Sequence, residues 1–136
     1  SQPLIYTGQE IGLNRRLAFF EKDSVKELVD LEYGKEYREF YKNLCAFRHD
    51  NSALAAGKVV APINIIEEAP EAVLAFTREN AENTVFCVFN FSAEAQTFVV
   101  AEANAGDYRC ACGKEMSLVA GQTIELAPWQ FYLLAK

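Results

Sequence analysis

Val85-Phe86-Cys87-Val88-Phe89-Asn90-Phe91 decides the fold. Apart from Asn90 every residue in it is apolar, and the β-branched and aromatic types that suit a pleated surface dominate. A strand apolar on both faces is central: a facing sheet covers one side and something else covers the other. Outward from it the texture is period two. Strands are expected near 58–66, 72–78, 84–92, 96–101, 107–112, 115–119, 122–127 and 130–135. The separators carry turn residues, among them Glu68-Ala69-Pro70, Asn80-Ala81-Glu82-Asn83, Asn104-Ala105-Gly106 and Gly113-Lys114. Short strands at this spacing predict a mainly β chain, an antiparallel, Greek-key-like β-sandwich of about eight strands over residues 51–136.

Residues 1–50 read differently. Pro3-Leu4-Ile5-Tyr6-Thr7-Gly8 is a continuous apolar run that stops at glycine, which suits a strand buried on both faces. A glycine-punctuated loop follows at 8–13, and Ser24-Val25-Lys26-Glu27 matches a capping box. The clearest helix is 35–49, where Tyr37, Phe40, Tyr41, Leu44 and Cys45 fall on one face. That aromatic stripe reads as core packing rather than a ligand box. A strand, a loop and a helix without a sheet of their own look like one βα unit of a larger parallel array.

Composition narrows the function. Hydrophobic residues make up 51% of the 136, enough for a packed core. The net charge of −6 lacks the footprint of a nucleic-acid binder and of a basic membrane-surface helix. No apolar run approaches the roughly 20 residues of a membrane helix. The start has neither a basic leader nor an initiator Met, and reads as a cut-out fragment or processed chain, with Ser1 a candidate cloning remnant. His49, the only histidine, lies at a helix end and reads as solvated rather than catalytic. Cys45, Cys87, Cys110 and Cys112 lack metal-ligand spacing. Cys110 and Cys112 would share one strand face. All four are read as free thiols, which leans towards a reducing, cytoplasmic setting. No metal or cofactor is expected. The acid pairs Glu67-Glu68 and Glu79 with Glu82 fall in expected turns and read as solvated charge.

Taken in order, several stretches resemble the α-amylase family of glycoside hydrolases. Residues 3–12 are similar to the family's last barrel strand and loop, and Leu17-Ala18-Phe19-Phe20-Glu21-Lys22-Asp23 to the segment after it. Leu44-Cys45-Ala46-Phe47-Arg48 followed by Asn51-Ser52-Ala53-Leu54 resembles the last barrel helix and its exit. Val73–Glu79, Val88–Ser92 and Ala127–Leu134 resemble strands of the C-terminal sandwich. Ser1, Phe47 and Ser52 depart from the family's usual Gly, Leu and Pro.

The resemblance implies that residues 1–50 are the remnant of the last βα unit of a (β/α)8 barrel and 51–136 the C-terminal domain. It implies a retaining parent enzyme acting on α-glucans, whose catalytic acids belong to earlier barrel strands. The chain alone should then be inactive, its role to shield and stabilise the barrel. Two carboxyls about 5–5.5 Å apart are needed for that chemistry, and one barrel strand supplies at most one. Glu10 either lines a sugar site in the intact parent or, with Gln9, fixes the loop through backbone hydrogen bonds; the second is preferred. Trp129, with Phe131, Tyr132 and Tyr108, is the sugar-facing candidate if the sandwich is a carbohydrate-binding module. Packing at the seam between sandwich and barrel is preferred for it. A non-catalytic relative of the family is a third reading. Without the barrel, the apolar faces of 3–7 and of the helix should fold back on the sandwich or pair in a homodimer.

Overall fold

The computed structural model describes residues 4–18, 20, 25–57 and 60–136. The chain forms two compact units, Ser1–Ala46 and Phe47–Lys136.

The second unit is the sandwich. Its strands are β1 (Ile63–Ile65), β2 (Val73–Glu79), β3 (Thr84–Asn90), β4 (Gln96–Val99), β5 (Gly106–Cys110), β6 (Glu115–Leu118), β7 (Thr123–Leu126) and β8 (Phe131–Ala135). Six form one antiparallel sheet in the order β1-β2-β3-β8-β5-β6, and β4 pairs with β7 in a second. The Val85–Phe91 stretch is central, with β2 on one side of β3 and β8 on the other. Alternation then sorts its side chains. Phe86 and Val88 point into the core with Ala75, Leu134, Tyr108 and Leu118 of their own sheet, meeting Phe98, Ile124 and Leu126 of the smaller one. Phe86, Leu126 and Leu134 are fully buried, each worth about 1.5–3 kcal/mol over leaving it in water. Phe86 touches Phe98 and Tyr108 with tilted rings, centroids 5.9 and 6.1 Å apart. The expected eight-strand sandwich is the observed one. Residues 58 and 59, at the start of the first expected strand, lie outside the described residues.

The first unit departs from expectation. Residues 4–8 form no strand, and Leu4 is 84% exposed. A buried parallel strand needs hydrogen-bonding neighbours on both sides, and among the described residues no strand pairs with this run. Pro3, the run at 19 and 21–23 and the capping residue Ser24 lie outside the described residues. What organises this unit is the turn at Gln9–Ile11, which packs on the start of helix α1 (Lys35–Asp50). Gly34 lies against the Ile11 backbone, and a Cβ there would sit 2.7 Å from the Ile11 carbonyl carbon, so only glycine, here at φ +64°, fits. Ile11 is 1% exposed. Arg38 of α1 donates to the carbonyls of Glu27, Leu28 and Asp30, gathering the preceding loop. Arg15 forks onto the Glu27 carboxylate at 3.0 and 2.8 Å, and those bonds hold the carboxyl below its usual range. The helix stripe is largely bare: Tyr37 and Phe40 are exposed and only Phe47 is buried.

The cysteines require a correction. Cys110 and Cys112 are joined in a disulfide, so the chain holds two free thiols, Cys45 and Cys87, rather than four. On the single strand face expected from the sequence, Cα atoms two apart are about 6.7 Å from each other. Instead Cys110 ends β5 and the next residues turn, closing the Cα separation to 5.1 Å, within bridging reach. The lean towards a cytoplasmic setting rested on that reading.

Candidate functional site

The outward face of the large sheet carries the candidate surface. In register, Ile65 faces Phe76, Phe76 faces Cys87, Leu74 faces Phe89 and Phe89 faces Phe131. These positions alternate with the core set, so they share the face away from the second sheet. One half of this face is covered. The short helical turn Ser52–Leu54 packs on β2 and β3, and Ala53, Val85 and Cys87 are buried. The other half is open. Phe89 stacks on Phe76, Phe91 and Phe131, at ring centroid distances of 6.1, 5.7 and 6.0 Å. Phe91 is 59% exposed, and Phe131, Ile63 and Ile65 are exposed beside it. An aromatic ladder on three adjacent strands costs solvation unless something covers it.

The covering turn is held by amides. Asn83 accepts from the Ala53 N–H at 2.9 Å and from Ser52 Oγ, and donates to Asn51 Oδ1 at 2.7 Å. Asn80 caps the β2–β3 hairpin by accepting from the Glu82 and Asn83 N–H groups. The Asn51–Leu54 run that carried the family resemblance is thus tied to the hairpin. Asn83→Ala should cost about 1–3 kcal/mol, because the N–H of buried Ala53 loses its acceptor. Chemical denaturation measures it; a loss below about 0.5 kcal/mol would mean that water replaces the amide.

The remaining candidates sit elsewhere. Glu10 Oε2 accepts from the Gly8 N–H at 2.9 Å, and Gln9 Oε1 accepts from the Tyr6 N–H at 3.2 Å, so both residues engage the adjacent backbone. An open cleft of about 620 Å³ lies alongside, lined by Tyr6, Gln9, Asn14, Arg15 and Arg16 among others; Glu10 is not among its lining residues. Trp129 is 62% exposed and holds φ +61°, left-handed backbone that bulky side chains rarely adopt, with its N–H bonded to Ser92 O. Tyr108 is buried with its hydroxyl donating to Asn104 O, and Tyr132 is half-buried against the core. His49 is exposed at the end of α1 beside Asp50. Among the described residues no three His, Cys, Asp or Glu converge as for a metal, and no helix is long and apolar enough to cross a membrane. The ladder escaped sequence reading because alternation gives each strand two faces without saying which rings of neighbouring strands align.

Solved structures share this fold. AmyP bound to maltose aligns with 76% of the chain at TM-score 0.61 and 19% identity, which speaks to the fold alone. MutB, in an inactive double mutant, aligns with 82% of it at TM-score 0.57 and 26% identity. MutB D200A bound to glucose aligns with 83% at TM-score 0.58 and 26% identity. The chain spans about a fifth of the length of these proteins. No curated protein matches it. The family model described as "Maltogenic Amylase, C-terminal domain" matches residues 63–133, from β1 into β8. That match takes in just over half of the chain and seven of its eight strands whole, and the chain belongs to the family of maltogenic amylase C-terminal domains.

Proposed function

We propose that the sandwich serves as the non-catalytic buttress of an α-glucan-acting enzyme, its open aromatic face seated on the catalytic barrel of the parent chain. The observation that carries this is the ladder of Phe76, Phe89, Phe91 and Phe131, half of it bare on a sheet whose other half is already covered. Membership of the C-terminal domain family supports it, as does the glucose complex of MutB. In this reading residues 1–50 are the last βα unit of the barrel and 51–136 the buttress. The acids that cleave the glucan lie in the parent, and the chain alone is inactive. Burying the ladder would stabilise the pair of bodies by roughly 25 cal/mol per Å² of apolar surface.

The double variant Phe91→Ser/Phe131→Ser tests it. In the full-length parent it should lower the melting temperature by about 4 °C or more while activity per folded molecule persists. In the 136-residue chain, where both rings are exposed and the variant loses little beyond their stacking on Phe89, the fall should be clearly smaller. Equal losses in both proteins, or none in the parent, would overturn the reading. On a native gel containing soluble starch the chain should migrate as a non-binding control does. Selective retardation would instead assign a glucan site to the domain, with Trp129 the first residue to replace.

A further inference from the structure

We propose that the Cys110–Cys112 pair is a reversible thiol–disulfide exchange site for small-molecule thiols such as glutathione, with Cys112 the sulfur that is attacked. The pair sits in the turn of the β5–β6 hairpin, and β6 is the outermost strand of its sheet, paired with β5. Cys112 is exposed, whereas Cys110 is half-buried and packs against the core. An incoming thiolate therefore meets Cys112 first. The Cys112 N–H lies 3.1 Å from Cys110 Sγ and donates to it, so negative charge arriving on that sulfur as it leaves meets a hydrogen-bond donor.

The hairpin does not need the bridge. Cys110 N–H donates to Lys114 O at 2.7 Å, Gly113 N–H to Cys110 O at 2.8 Å and Ala111 N–H to Leu133 O at 2.8 Å. Arg109 pairs with Glu115 across the hairpin. The bridge spans a separation of two residues, so it removes little loop entropy from the unfolded chain. Exposed, locally dispensable bridges are the exchangeable ones.

In the first step a glutathione thiolate bonds to Cys112 Sγ and the Cys110–Cys112 bond breaks. The electron pair leaves on Cys110 Sγ, which takes a proton from water. In the second step another glutathione thiolate attacks the mixed disulfide. Cys112 departs as thiolate and is protonated, and oxidised glutathione is released. Two electrons pass from two thiols to the protein bridge. Excess oxidised glutathione reverses both steps.

The test uses the 136-residue chain under non-denaturing conditions, with a chromogenic thiol probe and peptide mapping by mass spectrometry. The oxidised chain should offer one accessible thiol, exposed Cys45. After native treatment with reduced glutathione it should offer three, with near-UV circular dichroism unchanged and buried Cys87 still silent. Brief exposure should trap one glutathione on Cys112 of the wild-type chain. Against oxidised glutathione, the free Cys112 thiolate of Cys110→Ser should form a mixed disulfide and release one reduced glutathione, while Cys110 of Cys112→Ser should do so about tenfold or more slowly. A bridge that opens only in denaturant would overturn the proposal. So would an adduct mainly on Cys110, or a pair that stays dithiol under excess oxidised glutathione. The wild-type map carries the outcome even where a variant folds poorly.

Discussion

Asn90→Asp should destabilise the sandwich by about 4 kcal/mol at pH 7, more than Asn90→Ala, and most of that loss should vanish in acid. Asn90 is 2% exposed at the end of β3. Its Nδ2 faces three carbonyls, Glu94 at 2.7 Å, Ala127 at 2.9 Å and Leu126 at 3.3 Å. Its Oδ1 accepts from the Ser92 N–H and hydroxyl at 2.9 and 2.7 Å. Carbonyls only accept, so the amide nitrogen must face them. One side chain thereby ties the end of β3 in the large sheet to the end of β7 in the small one. Alanine leaves the Ser92 N–H and the carbonyls without it, a loss of about 3 kcal/mol with no pH dependence of its own. Aspartate keeps the shape but aims an oxygen at three oxygens. Ionised, it is repelled; protonated, it donates one hydrogen bond. Its folded pKa is therefore raised above the usual carboxylate value of about 3.9. A raised folded pKa leaves stability intact below the unfolded value and removes it as pH rises through the folded one. Urea midpoints for the three proteins at pH 3.5 and pH 7 measure this, and an aspartate deficit equal at the two pH values would refute the carbonyl-facing geometry.

The strands were legible because each carries its own evidence. In β7, Thr123-Ile124-Glu125-Leu126 alternates polar and apolar, and the structure buries Ile124 and Leu126 alone of the four. The two-faced apolarity of Val85–Phe91 announced a central strand for the same local reason. Pairing was less legible. β8 lies between β3 and β5, both distant in sequence, and no single strand's pattern encodes its neighbours. Residues 4–8 show the opposite failure: an apolar run reads as a buried strand wherever it occurs, but burial depends on partners. Helix α1 was placed to within a residue from its periodicity, yet the stripe that revealed it is mostly bare. The cysteine bridge depended on β5 ending at Cys110, and strand ends are where sequence patterns say least. The candidate face follows the same logic. Each phenylalanine was visible as an outward position of its strand, whereas the ladder belongs to a register set by three strands together.

That register also governs the alkaline limit of the fold. Cys87 lies between Phe76 of β2 and Leu133 of β8, is 4% exposed, and has its thiol pushed up to about 12 by burial, against which the charge of Arg78 pulls only weakly. In the unfolded chain the thiol titrates near its ordinary value of 9.0. The folded pKa is the higher one, so the contribution is whole below that unfolded value and is lost as pH climbs towards about 12. A shift of that size amounts to about 4 kcal/mol across the window. Cys87→Val keeps an apolar side chain of similar bulk without the titrating group. Lysines and tyrosines titrate in the same range, but they and the Cys110–Cys112 pair are common to both proteins and cancel in the difference. Relative to the valine variant, the wild type should lose about 4 kcal/mol between pH 9 and 12 and nothing between pH 6 and 8. Denaturant unfolding at pH 7, 9, 10 and 11 reads this directly. Parallel curves would mean that the thiolate forms inside the fold at little cost, and therefore that the outer face above β3 admits water where the packing of Phe76, Leu133 and the Ser52–Leu54 turn should exclude it.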